Sequence, residues 1–300
     1  MTIAEAYRIC RSIARKEAKN FYYAFVALPA HKRDAICAVY AFMRRADDLS
    51  DDESVPVDER RKNLTAWLDQ WHSAEQGGAT DDPVFVALGD AQKRFGISSE
   101  LLDELVEGTA MDLQRGESSA EYDAYATFAE LYRYCYLVAS VVGLVCIRIF
   151  GYSDKRAEKL AEETGIAFQL TNILRDVKED VERKRVYLPL DELRRYGVSI
   201  EELAKAPSPI TENQRELLAS IAARAENYYK SGYALLPLID ADSRPALWVL
   251  IAIYHRLLEK IEENRYEVFA KRVAVPTATK LWILLRGLCR VMMARAGVGK

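Results

Sequence analysis

Residues 165–189 read GIAFQLTNILRDVKEDVERKRVYLP. At about 100° per residue, Gln169, Asn172, Asp176 and Asp180 fall within about 80° of one another on a helical wheel, one face of a helix. Two carboxylates at i and i+4 with no basic residue between them on that face repel, which costs an isolated helix roughly 0.2–0.5 kcal/mol. A divalent cation would offset that cost. Hard oxygen donors beside an amide suit Mg²⁺, which keeps waters and is completed by substrate phosphates. The basic run Arg183, Lys184, Arg185 follows within two turns, so a cation site and an anion site lie together. It is expected to close over a bound diphosphate. A lone DxxxD is most often a solvated charged face.

The chain carries a second such stretch, RRADDLSDD at residues 44–52. Tyr40, Arg44, Asp47 and Asp51 share one helical face, with Asp48 at its edge. An arginine lies near the first aspartate of each pair, Arg44 in one and Arg175 in the other. If the two helices face each other across a cavity, at least four carboxylates converge. Without metal ions such a cluster would be strongly destabilised. With Mg²⁺ it becomes a clamp for diphosphate.

The paired motifs DDLSD and NILRDVKED, the second followed by RVYLP, resemble those of the squalene/phytoene synthase family of head-to-head prenyl transferases. The stretches KNFYYAFVALPAHKRDAICAVYAF and LYRYCYLVASVVG resemble it too, and the likeness runs from about residue 17 to about residue 290. Together with TKLWILLRGL they look nearest to the bacterial presqualene diphosphate synthases of hopanoid and squalene biosynthesis.

The resemblance implies an all-α isoprenoid synthase bundle around a central cavity. It also implies Mg²⁺, with Mn²⁺ as an alternative, on Asp47, Asp51, Asp176 and Asp180, assisted by Asp48 and Asn172. Arg44, Arg175 and Arg185 would bind diphosphate. Phe21, Phe25 and Gly143 would line the prenyl pocket, Gln169 would bind substrate, and Tyr254, Tyr266, Lys271 and Arg272 would lie around the pocket mouth. The last two are ambiguous by one position. Asn20 stands where the family often has a phosphate-binding serine. Tyr40, Tyr134, Tyr187 or the released diphosphate would carry the proton.

The implied reaction joins two farnesyl diphosphates into presqualene diphosphate, which downstream squalene and hopanoid enzymes would take. NADPH enters only if the second half-reaction is also catalysed. The alternatives are a complete squalene synthase, a phytoene or dehydrosqualene synthase, a chain-elongating transferase or terpene cyclase, and a non-enzymatic metal-binding scaffold.

Composition agrees. Half of the 300 residues are hydrophobic, with only 14 Gly and 9 Pro, which suits a large helical core. A net charge of −3 leaves no electrostatic footprint for nucleic acid. Five scattered cysteines without CxxC read as core residues of a reducing compartment. The longest apolar run, Leu137 to Ile147, is 11 residues, whereas a spanning helix needs about 20. The start is amphipathic and charged rather than a signal peptide. These features suggest a cytoplasmic chain, with room for peripheral contact at the inner membrane.

No strand alternation persists, and no linker divides residues 1–300, so a single helical domain is expected. Helices are expected over 3–18, 30–52, 58–74, 83–95, 98–115, 125–149, 190–196, 199–205, 212–238, 243–269 and 276–296, with Ser153 capping the one that carries the second motif. Gly108 marks close packing, and Asp112 is a further acidic candidate one turn on.

Overall fold

The computed structural model describes residues 1–52, 54–115, 121–205 and 208–295; the side chains at 19, 20, 112, 114, 115 and 290–295, and so those of the candidates Asn20 and Asp112, lie outside that description. The chain is helical, in line with the expectation. It runs through α1 (Ile3–Glu17), α2 (Lys19–Val26), α3 (Ala30–Asp51), α4 (Val57–Glu75), α5 (Pro83–Phe95) and α6 (Ser99–Arg115). Then come α7 (Phe128–Cys135) and α8 (Val141–Phe150), joined by one π-helical turn over Tyr136–Ser140, and the long α9 (Arg156–Glu182). After α10 (Leu190–Arg195) and α11 (Ile200–Ala204), the helices α12 (Glu212–Leu235), α13 (Arg244–Glu263) and α14 (Thr277–Arg295) complete the fold. One buried apolar cluster runs from Ala6 to Val275.

Local chemistry sets the ends. Thr2 and Glu5 form a capping box on α1. Asp82 accepts from the Val84 N–H at 2.7 Å to start α5, and Gly96 ends it at φ 61°. Ser98, the residue before α6, is its cap, accepting from Leu101 N–H at 3.4 Å. Three boundaries differ from the expectation. Ser153 does not cap α9; the Asp154 carboxylate instead accepts from Arg156 N–H at 2.9 Å, so the helix starts later. The helix expected from 125 begins at Phe128, where the Thr127 hydroxyl accepts from Glu130 N–H at 3.4 Å. The helix expected over 243–269 stops at Glu263, because Arg265 and Tyr266 turn to φ 52° and 62° and Tyr266 N–H closes on Ile261 C=O at 2.9 Å.

Two strand fragments, β1 (Asp123–Ala124) and β2 (Arg185–Val186), pair in parallel. They pin the basic run after α9, with Asp123 N–H donating to Lys184 C=O at 2.9 Å and Lys184 at φ 61°. Lys184 also reaches Glu121 at 3.3 Å. The run is thus paired to the segment before α7.

The span Phe128–Phe150 is long and apolar enough by composition to cross a membrane, but half of its apolar window is buried inside the protein. Its π-turn is where neighbouring backbones come closest. A Cβ on Gly165 of α9 would lie 2.5 Å from Ser140 Cα, and one on Gly108 of α6 would lie 3.0 Å from the Leu137 carbonyl. Ser140 Oγ donates to Glu162 C=O at 2.6 Å across the same contact. Opposite, buried Lys32 bonds the Phe150 carbonyl at 2.8 Å, Asp242 at 2.7 Å and Ser243 at 3.1 Å, tying the start of α3 to the ends of α8 and α13.

Gly165→Ala should therefore destabilise the fold by about 1–3 kcal/mol, the usual cost of overpacking. Urea unfolding measures it. An unchanged midpoint would mean the backbones can part freely.

Candidate functional site

Between α2, α3, α8, α9 and α13 lies a cavity of about 850 Å³, towards the top of the range of about 300–1,000 Å³ for ligand pockets. Its polarity is graded. Along α9 the lining runs from Ala161 and Thr164 through Gly165 and Phe168 to Gln169, Asn172 and Arg175. Along α3 it runs from Ile36 and Val39 through Tyr40 and Met43 to Arg44 and Asp47. The far end is closed by Cys146, Ile147, Phe150, Leu235 and Leu247. A helix shows the same face every three to four residues, so each wall becomes polar towards one end.

Aromatic rings line the middle. Phe168 stacks on Tyr254 at 4.5 Å, and Phe21 meets Tyr254 at 5.6 Å. Phe25 packs edge-on against Tyr40 at 6.2 Å. Burial pushes the Tyr254 hydroxyl up to about 12.

The rim holds the charges. Burial, and next Asp51, push Asp47 up to about 6, while the Thr109 hydroxyl donates to it at 3.2 Å. Burial, and next Asp176, push Asp180 up to about 7. Asp176 goes the other way: burial opposes its charge, but hydrogen bonds and ion pairs from Arg175 and Arg272 outweigh that and hold it low. Arg175 Nε reaches Asp176 at 2.7 Å with a second contact from Nη2, and Arg272 Nη2 reaches it at 2.7 Å from the loop before α14. Arg44 pairs with Asp48 at 2.6 Å.

The expected convergence of four carboxylates is not a closed cluster. Among the described residues no three acidic, His or Cys side chains come together to hold a metal. Each helix contributes its own i, i+4 pair, and guanidinium groups take up Asp176. Yet the donor set fits Mg²⁺ bound by one or two carboxylates and completed by phosphate oxygens and water. Two carboxyls have proton affinities raised above the usual carboxylate range, and the buried Asn172 Oδ1 has no hydrogen-bond partner.

The other site candidates divide. Phe21, Phe25, Tyr40, Arg44, Gly143, Gln169, Asn172, Arg175, Tyr254 and Arg272 line the cavity. The ambiguity between Lys271 and Arg272 resolves to Arg272 as the lining residue. Gly143 also lets α8 approach α9, since a Cβ there would lie 3.1 Å from Ala161 C=O. Tyr134 and Tyr187 do not line the cavity. Their rings stack at 4.9 Å with hydroxyls 3.2 Å apart beside Tyr125, a tyrosine cluster behind the wall. Arg185 shares a small crevice with Asp180 and Tyr187, because β2 carries it away from the main mouth.

The sequence reading missed Glu17, Phe168, Thr109 and Lys280. Lys280 lines the mouth from the first turn of α14, and burial, then nearby Arg175, lower its pKa. A helical wheel places Phe168 one turn before Asn172, a usable signal; Lys280 and Thr109 come from distant helices and had none.

The family model for squalene/phytoene synthases matches residues 14–279. The phytoene synthase of Mycobacterium tuberculosis is 36% identical over 294 residues, covering 95% of this chain and 91% of that protein. A dehydrosqualene synthase crystal structure with bound ligand superposes with a TM-score of 0.84 at 30% identity, covering 97% and 98% of the two chains. The squalene synthase HpnC of Alicyclobacillus acidocaldarius does so at 0.79 and 26%, covering 88% and 95%. Matched motifs, matched fold and near full-length coverage lead to one conclusion: the chain belongs to the squalene/phytoene synthase family.

Proposed function

We propose that the protein joins two farnesyl diphosphates head to head, releasing one diphosphate and a proton and leaving presqualene diphosphate. The observation that carries this reading is the graded cavity, apolar and closed at one end, with Arg44, Asp47, Asn172, Arg175, Arg272 and Lys280 at the other. Arg44, Arg175, Arg272 and Lys280 would hold diphosphate oxygens, the arginines through planar forks. Asp47, Asp51, Asp176 and Asp180, with Asp48 and Asn172 Oδ1, would hold Mg²⁺. The bound ion supplies neutralisation of the leaving diphosphate.

The double bond of the second substrate attacks the allylic cation, and loss of a proton closes a cyclopropane. The faces of Phe21, Phe168 and Tyr254 lie where they can stabilise that cation, and the closed apolar end keeps water from quenching it. Of the three tyrosine candidates, Tyr40 alone reaches the cavity, which favours it or the released diphosphate as proton carrier.

The length of the cavity along α9 is comparable with both the C15 and the C20 tail. Ala161 and Asn172 are eleven residues apart on α9, about 16 Å at 1.5 Å per residue. At about 1.2 Å per bond of extended chain, a C15 tail reaches about 13 Å and a C20 tail about 18 Å. A second reading, a phytoene or dehydrosqualene synthase, has its own support. The relatives named above are phytoene and dehydrosqualene synthases as well as a squalene synthase, so they favour it at least as well as the presqualene reading.

Product analysis separates the readings. Farnesyl diphosphate with Mg²⁺ should accumulate presqualene diphosphate, and NADPH should change little. A C40 product from geranylgeranyl diphosphate, with farnesyl diphosphate inert, would make the chain a phytoene synthase. Dehydrosqualene without a reductant, or squalene in proportion to NADPH oxidation, would extend the reaction accordingly.

Asp47→Asn or Asp176→Asn should lower turnover at least about 100-fold, a loss of about 2.7 kcal/mol of transition-state stabilisation, with folding retained. Near-normal turnover at saturating Mg²⁺ in either variant would remove the assignment.

The raised carboxyls also predict a pH dependence. Asp180 binds its proton more tightly in the folded than in the unfolded chain, so metal-free stability should fall as pH rises from about 4 through about 7. Asp180→Asn should be more stable than the parent in urea at pH 8 and should lose that advantage near pH 4. An equal advantage at both values would show that the like-charge crowding is absent.

A further inference from the structure

The helix α14 is apolar on two opposite faces. One face packs inward: Ile283 is buried, and a Cβ on Gly287 would lie 2.6 Å from Val249 of α13. Leu281, Trp282 and Leu285 fall about half a turn away on the helical wheel and are 52%, 58% and 50% exposed. A helix packed on one side normally presents polar residues on the other. Val26 of α2, which α14 also contacts, is exposed too.

Charge singles out the same region. After Glu267 the sequence has Lys271, Arg272, Lys280, Arg286, Arg290, Arg295 and Lys300 and no acidic residue, whereas the whole chain has a net charge of −3. The exposed stripe also begins at the cavity mouth. Val273, Ala274, Val275 and Lys280 line the cavity, and Leu281 is the next residue.

From these observations we infer that the exposed face of α14 docks on an anionic lipid bilayer, with the mouth of the cavity at the membrane surface. Trp and Leu enter the interfacial region while Lys and Arg meet the headgroups, the pairing that holds amphipathic helices on anionic membranes. A two-fold contact with a second copy would bring like-charged segments together, which favours lipid over self-association. The consequence is that a prenyl chain moves between bilayer and cavity with little exposure to water.

Sedimentation of the full chain with vesicles tests this. Binding should be at least about tenfold stronger to phosphatidylcholine vesicles containing phosphatidylglycerol than to phosphatidylcholine alone, and should weaken as salt is raised. Leu281→Glu with Leu285→Glu should lower binding to the anionic vesicles at least tenfold. Circular dichroism and turnover of detergent-dispersed substrate should stay within twofold of the parent, since neither leucine lines the cavity. Arg286→Glu should give a smaller loss in the same direction. Trp282→Phe should shrink the tryptophan blue shift on binding to what Trp248 contributes, since Trp67 and Trp71 are buried and Trp248 of α13 is half-buried beside Gly287. Absence of binding to anionic vesicles at low salt would overturn the inference, as would undiminished binding of the double variant. Light scattering that shows a dimer dispersed by the double variant, without vesicle binding, would assign the face to a second copy instead.

Discussion

The backbone contact between Gly165 and the π-turn at Ser140 sets the geometry on which the site depends. A π-turn widens the helix by one residue, and such turns recur at functional sites. Here it gives α9 a surface it can touch without an intervening side chain, while Gly108 brings α6 against the turn from another side. With α9 seated there, its next two turns place Phe168, Gln169, Asn172 and Arg175 along the cavity. Lys32 holds the closed end by tying α3, α8 and α13 together. The cavity is thus braced at both ends, one by close backbone packing and the other by a buried ammonium with carbonyl, carboxylate and hydroxyl partners.

The rim is electrostatically unfinished. On α3, Asp51 adds to the burial that raises the proton affinity of Asp47, and on α9 Asp176 does the same to Asp180. Arg272 spans from the loop before α14 to Asp176 and Glu179, so part of the second motif is neutralised from across the mouth. A diphosphate arriving with divalent cations would change both halves of this balance. The anion gives the guanidinium groups new partners, and the cations give the carboxylates theirs. Cation and anion binding would then be coupled by the charge arrangement itself.

The two ends of the cavity have different duties, and different parts of the chain supply them. The closed end draws on α8, α12 and α13, whose lining residues there are apolar. The mouth draws on α3, α9 and the basic C-terminal segment. That division places the charged lining beside the basic segment that follows Glu267, and the apolar lining at the far end.

Helical class, the two aspartate faces and most helix bounds were legible in the sequence, because periodicity, caps and turn residues act over a few positions. Gln169, Asn172 and Asp176 could be placed on one face for the same reason: a wheel is a local object. Tertiary structure decided what meets across space. It set Tyr134 and Tyr187 behind the wall and took Arg185 into a side crevice, although both stretches read as site-like. It brought Lys280 and Thr109 from distant helices to the rim and chose Arg272 over Lys271. It also ended α13 at Glu263, where Arg265 and Tyr266 adopt left-handed backbone that no propensity rule would assign to them. The difference is physical: a helical face follows from 3.6 residues per turn, whereas which face meets which depends on packing across hundreds of residues and on the few glycines that let backbones touch.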